Sequence, residues 1–373
     1  MEKKIAITHH TLSSLGGGER VGVSLIEVLN KVGVVPDVYT TSPVKLSYLQ
    51  QFYGKEIKCN VKSILPMSVR LFGIYQRIVA SFKSFSLKGY DVVINTTGIY
   101  TPLFWKSLIK RYLLYVYNPL VALHLSVSEK LKYERSLFWK LYYKPYQGLI
   151  RHSIHKLGDT EILSVSNFTK WRVWKYWNKQ SKTVYPPVDI GNFSSTFDNN
   201  NREGVISIAR FTPEKNHLLQ LEIAKKLPNL TFRICGSAKT PYYWRWYQHI
   251  KAKAEELNLK NVEFCPNIPF KSLISLIGKS RYFLHTMFHE DFGLTTAEAI
   301  AGGCIPVVHN SGGQKEVVPI RDLRFNNINE AVSIIRSLSH QECSRYKESL
   351  YSHIQQFSEE VFQQKMLKVI FAG

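Results

Sequence analysis

Short apolar runs alternate along the whole chain with longer stretches in which apolar residues recur every three or four positions. In the first half, the runs at 4–8, 91–95, 113–117 and 162–166 predict buried strands, and a further one follows at 36–40. In the second half, 205–209, 231–235, 262–264, 282–285 and 305–308 do the same. The first run is followed by a helical pattern with Val21, Leu25, Val28, Leu29 and Val32 on one face, and 358–367 predicts a terminal helix. Apolar strands separated by helices predict parallel α/β sheets covered on both faces. Between the halves stand Pro186 and Pro187, then the polar stretch Phe197-Asp198-Asn199-Asn200-Asn201, the punctuation of a domain boundary. The expectation is an α/β chain of two Rossmann-like parallel-sheet domains facing across a cleft, divided at 187/188, with ligands at the carboxyl ends of the strands.

A length of 373 residues and a hydrophobic content of 45% suit two domains with sizeable cores. No run of eighteen or more apolar residues occurs, and the N-terminal apolar stretch is too short for a leader peptide. Cys59, Cys235, Cys265, Cys304 and Cys343 show no paired spacing, which fits a reduced, cytoplasmic protein without a structural zinc site. The net charge of +21 is unevenly placed: residues 1–187 hold 27 Lys+Arg against 10 Asp+Glu, and residues 188–373 hold 22 against 18. An anionic membrane or nucleic acid is the partner such a basic half suggests.

Candidate chemistry gathers at strand ends. In His289-Glu290-Asp291-Phe292-Gly293-Leu294-Thr295-Thr296-Ala297-Glu298, Thr295 and Glu298 have capping-box spacing, which predicts a helix from there to Gly302-Gly303. The amides of Phe292 to Thr296 would then be free donors suited to a phosphate, while Glu290 and Glu298 could accept hydrogen bonds from sugar hydroxyls. After the first strand, Gly16-Gly17-Gly18-Glu19-Arg20 allows close backbone approach to a ligand. It is a poor dinucleotide fingerprint, because Val21 stands where the third glycine belongs and the 36–40 strand does not end in an acid. After the strand at 205–209, Arg210 offers a planar fork and Lys215 a point charge for phosphate oxygens, and Gly236 closes the next strand.

Together these features resemble the retaining nucleotide-sugar glycosyltransferases of the GT-B fold, specifically glycosyltransferase family 4. Glu290 and Glu298 match its E-x7-E motif, with Phe292, Gly293 and Leu294 in place, and Arg210 and Lys215 match its diphosphate-binding pair. The glycine loop resembles that of the asparagine-linked-glycosylation mannosyltransferases. The resemblance implies an acceptor-binding, membrane-facing domain at 1–187, a nucleotide-sugar-binding domain at 188–355, and a terminal helix at 356–373 that returns to the first domain. It implies metal-independent hexose transfer with retention from a GDP- or UDP-linked donor, mannose being the sugar those mannosyltransferases move. Glu298 would hold the donor ribose. Glu290 would face the transferred sugar and support charge at its anomeric carbon. Arg210 and Lys215 would neutralise the departing diphosphate, assisted by amides of Gly16, Gly17, Gly18, Gly293, Leu294 and Thr295. No cofactor and no metal is implied, and the chain has no Asp-x-Asp pair. Tyr117 stands where the family often carries a histidine; His9, His10 and His124 are available in its place, and none is assigned.

The segments 67–83, 130–156 and 170–182 mix cations with aromatic rings, among them Trp139, Tyr142, Tyr143, Trp171, Trp174 and Trp177. Such segments suit a membrane interface. In the family the first domain binds the acceptor, so a lipid-linked oligosaccharide and a peripheral place on the cytosolic face of a membrane are expected. Transfer to a glycolipid or surface-polysaccharide precursor is the alternative of the same class. A basic RNA-binding protein is the alternative of another class, but it leaves Glu290, Glu298 and the glycine loop unexplained.

Overall fold

The computed structural model describes residues 3–12, 16–41, 43–63, 86–98, 109–119, 137–155, 157–158, 160–199 and 201–372, with main chain alone at 139, 146, 147, 149, 150 and 153. The basic segment 67–83, His124, the 130–136 stretch, Lys156 and the Trp139 side chain lie outside what is described. The chain forms two compact units, one of residues 1–187 with 359–373, the other of residues 188–358.

The first unit is built on seven strands: β1 (Ile5–His9), β2 (Asp37–Thr40), β3 (Asn60–Ser63), β4 (Val92–Gly98), β5 (Arg111–Val116), β6 (Glu161–Ser164) and β7 (Lys182–Thr183). They pair in the order β3-β2-β1-β4-β5-β6-β7, every ladder parallel. The second unit has six: β8 (Val205–Ile208), β9 (Phe232–Gly236), β10 (Val262–Pro266), β11 (Tyr282–His285), β12 (Ile305–His309) and β13 (Arg324–Phe325), in the order β10-β9-β8-β11-β12-β13 and again all parallel. The central strands are apolar on both faces because helices cover both. Ile5, Ala6, Ile7, Val92, Val93, Ile94, Leu113 and Leu114 are buried in one sheet, and Ile206, Phe283, Leu284, Val307 and Val308 in the other. Each unit is thus built on a Rossmann-like parallel sheet.

Three strands give no apolar run. The edge strand β3 alternates exposed with half-buried residues, and β7 and β13 are two residues long. The helix after β1 spans Gly17–Lys31 and buries Val21, Leu25, Val28 and Leu29. Val32 does not join that face: it caps the helix and is 46% exposed.

In each sheet the strand order turns back beside the first strand of its unit, between β1 and β4 and between β8 and β11. There the connections leave in opposite directions, so a crevice opens outside the carboxyl ends of the two strands. In the second unit that point falls between Ile208 and His285, and it positions the residues described next.

The helix Glu359–Phe371 packs within the first unit against Gly17–Lys31, burying Phe362, Met366 and Ile370. Lys55 Nζ bridges Glu27 and Glu359, and Gln363 Nε2 donates to Glu27 Oε2 at 2.7 Å. At the far end, Arg111 donates to the Val369 and Ile370 carbonyls at 2.7 and 3.0 Å, which closes the last turn.

Candidate active site

Beyond β8 the chain runs through Arg210 to a single 3-10 turn, Pro213–Lys215, which Asn216 ends in the left-handed region at φ 55° before the helix His217–Lys225 begins. Lys215 is therefore held on a tight turn and not on a longer helix. Beyond β11 the loop carries Glu290. The two loops are fastened together: Thr286 Oγ1 donates to the Lys215 carbonyl at 2.9 Å, and Gln220 Nε2 donates to Thr286 Oγ1 at 2.9 Å. On this backing Lys215 Nζ reaches Glu290 Oε2 at 2.6 Å, the two side chains being 16% and 17% exposed. Burial alone would raise the Glu290 carboxyl. The Lys215 ammonium, and after it the His285 hydrogen bond, more than reverse that and hold it well below the usual carboxylate range.

Behind Glu290 sits a Gly-Gly turn. Gly313 N donates to the Glu290 carbonyl at 2.8 Å, and a Cβ on Gly312, whose φ is +69°, would lie 2.4 Å from that same oxygen. Only glycine permits this approach, and it fixes the backbone from which the Glu290 side chain projects.

The capping box at Thr295 and Glu298 is not formed. The helix spans Leu294–Ala301 with Gly293 as its N-cap, at φ 115°, so Thr295 is its second residue and Glu298 its fifth, buried beyond the first turn. Gly293 allows this earlier entry, since it can take a positive φ and since a Cβ there would lie 2.7 Å from Gln314 Oε1. Thr296 N is also not a free donor, because it bonds the Gly293 carbonyl at 3.1 Å. Leu294 and Thr295 remain as the first-turn amides that lack an intrahelical carbonyl. Phe292 is buried and packs edge-on against Phe357 at 5.1 Å.

Arg210 is exposed, with Nη1 3.2 Å from the Tyr243 hydroxyl and its guanidinium over the Tyr243 ring at 5.9 Å. Gly236, at the end of β9, passes so close to Ala209 that a Cβ would meet its carbonyl oxygen at 1.7 Å. Lys215 and Glu290 are thus in direct contact, Phe292 to Glu298 follow on the same loop and helix, and Arg210 stands free of Glu290. Gly17 and Gly18 are in the first unit, as the first two residues of the Gly17–Lys31 helix. The Gly16 amide preceding them is taken by Glu19 Oε2 at 2.9 Å, so it is no ligand donor, and Tyr117 donates its hydroxyl to the Gly18 carbonyl at 3.2 Å. His9 is buried against Thr96 Oγ1 at 2.8 Å, and burial lowers its pKa to about 4.

Sequence reasoning passed over His285, the last residue of β11, whose Nε2 lies 3.3 Å from Glu290 Oε2. A histidine ending an otherwise apolar strand run beside the Glu290 loop was the available signal. Tyr243, the partner of Arg210, offered none.

Residues 192–349, most of the second unit, match the family described as "Glycosyl transferases group 1". Over its length the chain is similar to the GDP-Man:Man(3)GlcNAc(2)-PP-Dol alpha-1,2-mannosyltransferase of Xenopus laevis, 25% identical over 373 residues, with 84% of this chain and 74% of that one covered. The human enzyme of the same name is 27% identical over 221 residues, 53% of this chain and 45% of its own. Among solved structures, sucrose-phosphate synthase from Thermosynechococcus elongatus superposes with a TM-score of 0.75 over 99% of this chain and 98% of its own; at 17% identity that likeness carries the fold.

Proposed function

We propose that the protein is a glycosyltransferase that moves mannose from GDP-mannose, with retention and without a metal, to a polyprenol-diphosphate-linked oligosaccharide at a membrane surface. The observation that carries this reading is the Lys215–Glu290 pair at the switch point of the second sheet, inside the residues that match the group 1 glycosyl transferases. The choice of mannose, of a GDP-linked donor and of a dolichol-type acceptor rests on the names of the similar mannosyltransferases.

In this reading the donor diphosphate draws the Lys215 ammonium and the Arg210 guanidinium, two positive charges that stabilise the leaving group as the glycosidic bond breaks. Neutralisation by side chains replaces the task a divalent ion performs in other transferases. The Glu290 carboxylate then faces the sugar and stabilises positive charge at its anomeric carbon. Glu298, buried on the following helix, accepts from the ribose hydroxyls, and the Leu294 and Thr295 amides face the phosphates.

The acceptor reading is supported by the first unit. Trp171, Trp174 and Tyr176 are exposed on the helix Asn167–Trp177, with Lys175 Nζ over the Trp171 ring at 4.7 Å. Leu137, Phe138 and Leu141 are exposed at the start of the helix Leu137–His155. Rings and cations together suit an anionic headgroup layer. No described helix is long and apolar enough to cross a membrane, and Cys59, Cys235, Cys265, Cys304 and Cys343 are unpaired. Peripheral attachment on the reducing, cytosolic face fits both.

A thermal-shift panel of nucleoside diphosphates and nucleotide sugars, with EDTA present, tests the donor. The expected outcome is selective stabilisation by GDP and GDP-mannose that Lys215→Ala abolishes. Stabilisation by uridine nucleotides alone would overturn the GDP assignment, and loss of the response in EDTA would overturn the metal-independent one.

A further inference from the structure

Lys215 and His285 converge on the same atom. Lys215 Nζ lies 2.6 Å and His285 Nε2 3.3 Å from Glu290 Oε2. The two partners differ in kind. Lys215 carries its ammonium on a four-carbon stem with several rotatable bonds, at the end of the Pro213–Lys215 turn, and the reading above sends that ammonium to the donor diphosphate. His285 is fixed: it is 4% exposed, and its backbone pairs in register with Val308 of β12.

The ring has one consistent protonation pattern. Nδ1 makes no hydrogen bond to any described residue. A proton on Nδ1 would bury an unpaired N–H and turn the Nε2 lone pair toward the carboxylate lone pairs. A proton on Nε2 makes the Glu290 contact an N–H···O bond. Burial disfavours the imidazolium and lowers the ring's pKa, while Glu290 opposes that shift and Lys215 adds to it. The charged and titratable groups facing the ring are Glu290, Lys215, His217 and His309.

We propose that His285 is a positioning residue, which holds Glu290 Oε2 through a neutral Nε2–H so that the other carboxylate oxygen stays aimed at the sugar when Lys215 leaves for the diphosphate. The inference rests on the reading that Glu290 faces the transferred sugar. Without His285, departure of Lys215 leaves Glu290 tethered only through its own rotatable bonds, beside a diphosphate that repels it. Misplacement of that kind costs turnover and not donor binding.

The test is steady-state kinetics of His285→Ala, His285→Gln, Glu290→Ala and the His285→Ala/Glu290→Ala pair, with melting temperatures alongside. The expected result is a kcat lowered about tenfold to a hundredfold in His285→Ala with the donor KM within about twofold. His285→Gln, whose carboxamide can place an N–H toward Oε2, recovers turnover, and the double variant is no slower than Glu290→Ala alone. A His285→Ala enzyme with full kcat, or one altered only in KM, overturns the inference while Glu290→Ala remains inactive. Full activity in Glu290→Ala overturns the reading of Glu290 together with what rests on it. Should His285→Ala fail to fold, 15N spectra of the imidazoles in the unsubstituted protein decide, with the His285 signals assigned by their loss in His285→Gln. A neutral ring protonated at Nε2 from about pH 6 to about pH 8 supports the inference. An imidazolium, or a proton on Nδ1, overturns it.

Discussion

Lys215 and Glu290 are 75 residues apart and meet at 2.6 Å, in a place where neither has much water. Such a pair is poised: each charge compensates the other until a more highly charged ligand arrives. Its cost appears in acid. The folded-state pKa of Glu290 is lowered from its ordinary 4.5, so the stability this group contributes is complete above about pH 5 and is lost as the pH falls toward the depressed value. Glu290→Gln removes that dependence. The variant is expected to show a smaller drop in melting temperature between about pH 7 and about pH 4 than the unsubstituted protein, read by calorimetry at both. An equal drop in the two would place the acid sensitivity elsewhere. Lys215 and Glu290 were legible as candidates, because a cation and a carboxylate follow two of the apolar strand runs. Their contact was not, and neither was His285, since a single histidine in an apolar run carries no mark of what it faces.

At the scale of elements, parallel strands were legible wherever both faces are buried, as in 113–117 and 282–285, because burial forces an unbroken apolar run. Edge strands β3, β7 and β13 escape that rule. The start of the helix at Leu294 was misread for a related reason. A serine or threonine followed by glutamate is a local signal, whereas the actual cap depends on Gly293 fitting against Gln314, at the start of the short helix Gln314–Val317. Gly236 is a sharper case of the same kind: its Cα stands so near the Ala209 carbonyl that no side chain fits. Gly236→Ala must part β9 from the chain leaving β8, the segment that carries Arg210. A loss of about 1–3 kcal/mol in urea unfolding is expected, and an unchanged midpoint would mean the two strand ends separate freely.

At the scale of the molecule, alternation of strands and helices was enough to predict two Rossmann-like units. The charge asymmetry adds what the fold alone does not contain. Nearly all the excess positive charge belongs to residues 1–187, and the described part of that unit exposes Trp171, Trp174, Leu137, Phe138 and Leu141. Flotation with vesicles containing phosphatidylserine is expected to carry the protein upward at low salt, to weaken as salt screens the cations, and to fall in Trp171→Ala/Trp174→Ala. Flotation unaffected by either change would remove this surface from membrane attachment.

The central claim is sugar transfer carried by Lys215 and Glu290. Its most direct test is incorporation of radiolabelled mannose from GDP-mannose into a synthetic dolichyl-diphosphate-linked oligosaccharide, in EDTA, by the unsubstituted protein, Lys215→Ala and Glu290→Ala. The expected result is an acceptor lengthened by mannose, with the rate lowered at least about a hundredfold in each folded variant. Undiminished transfer by either variant, or no transfer by the unsubstituted protein, would contradict it.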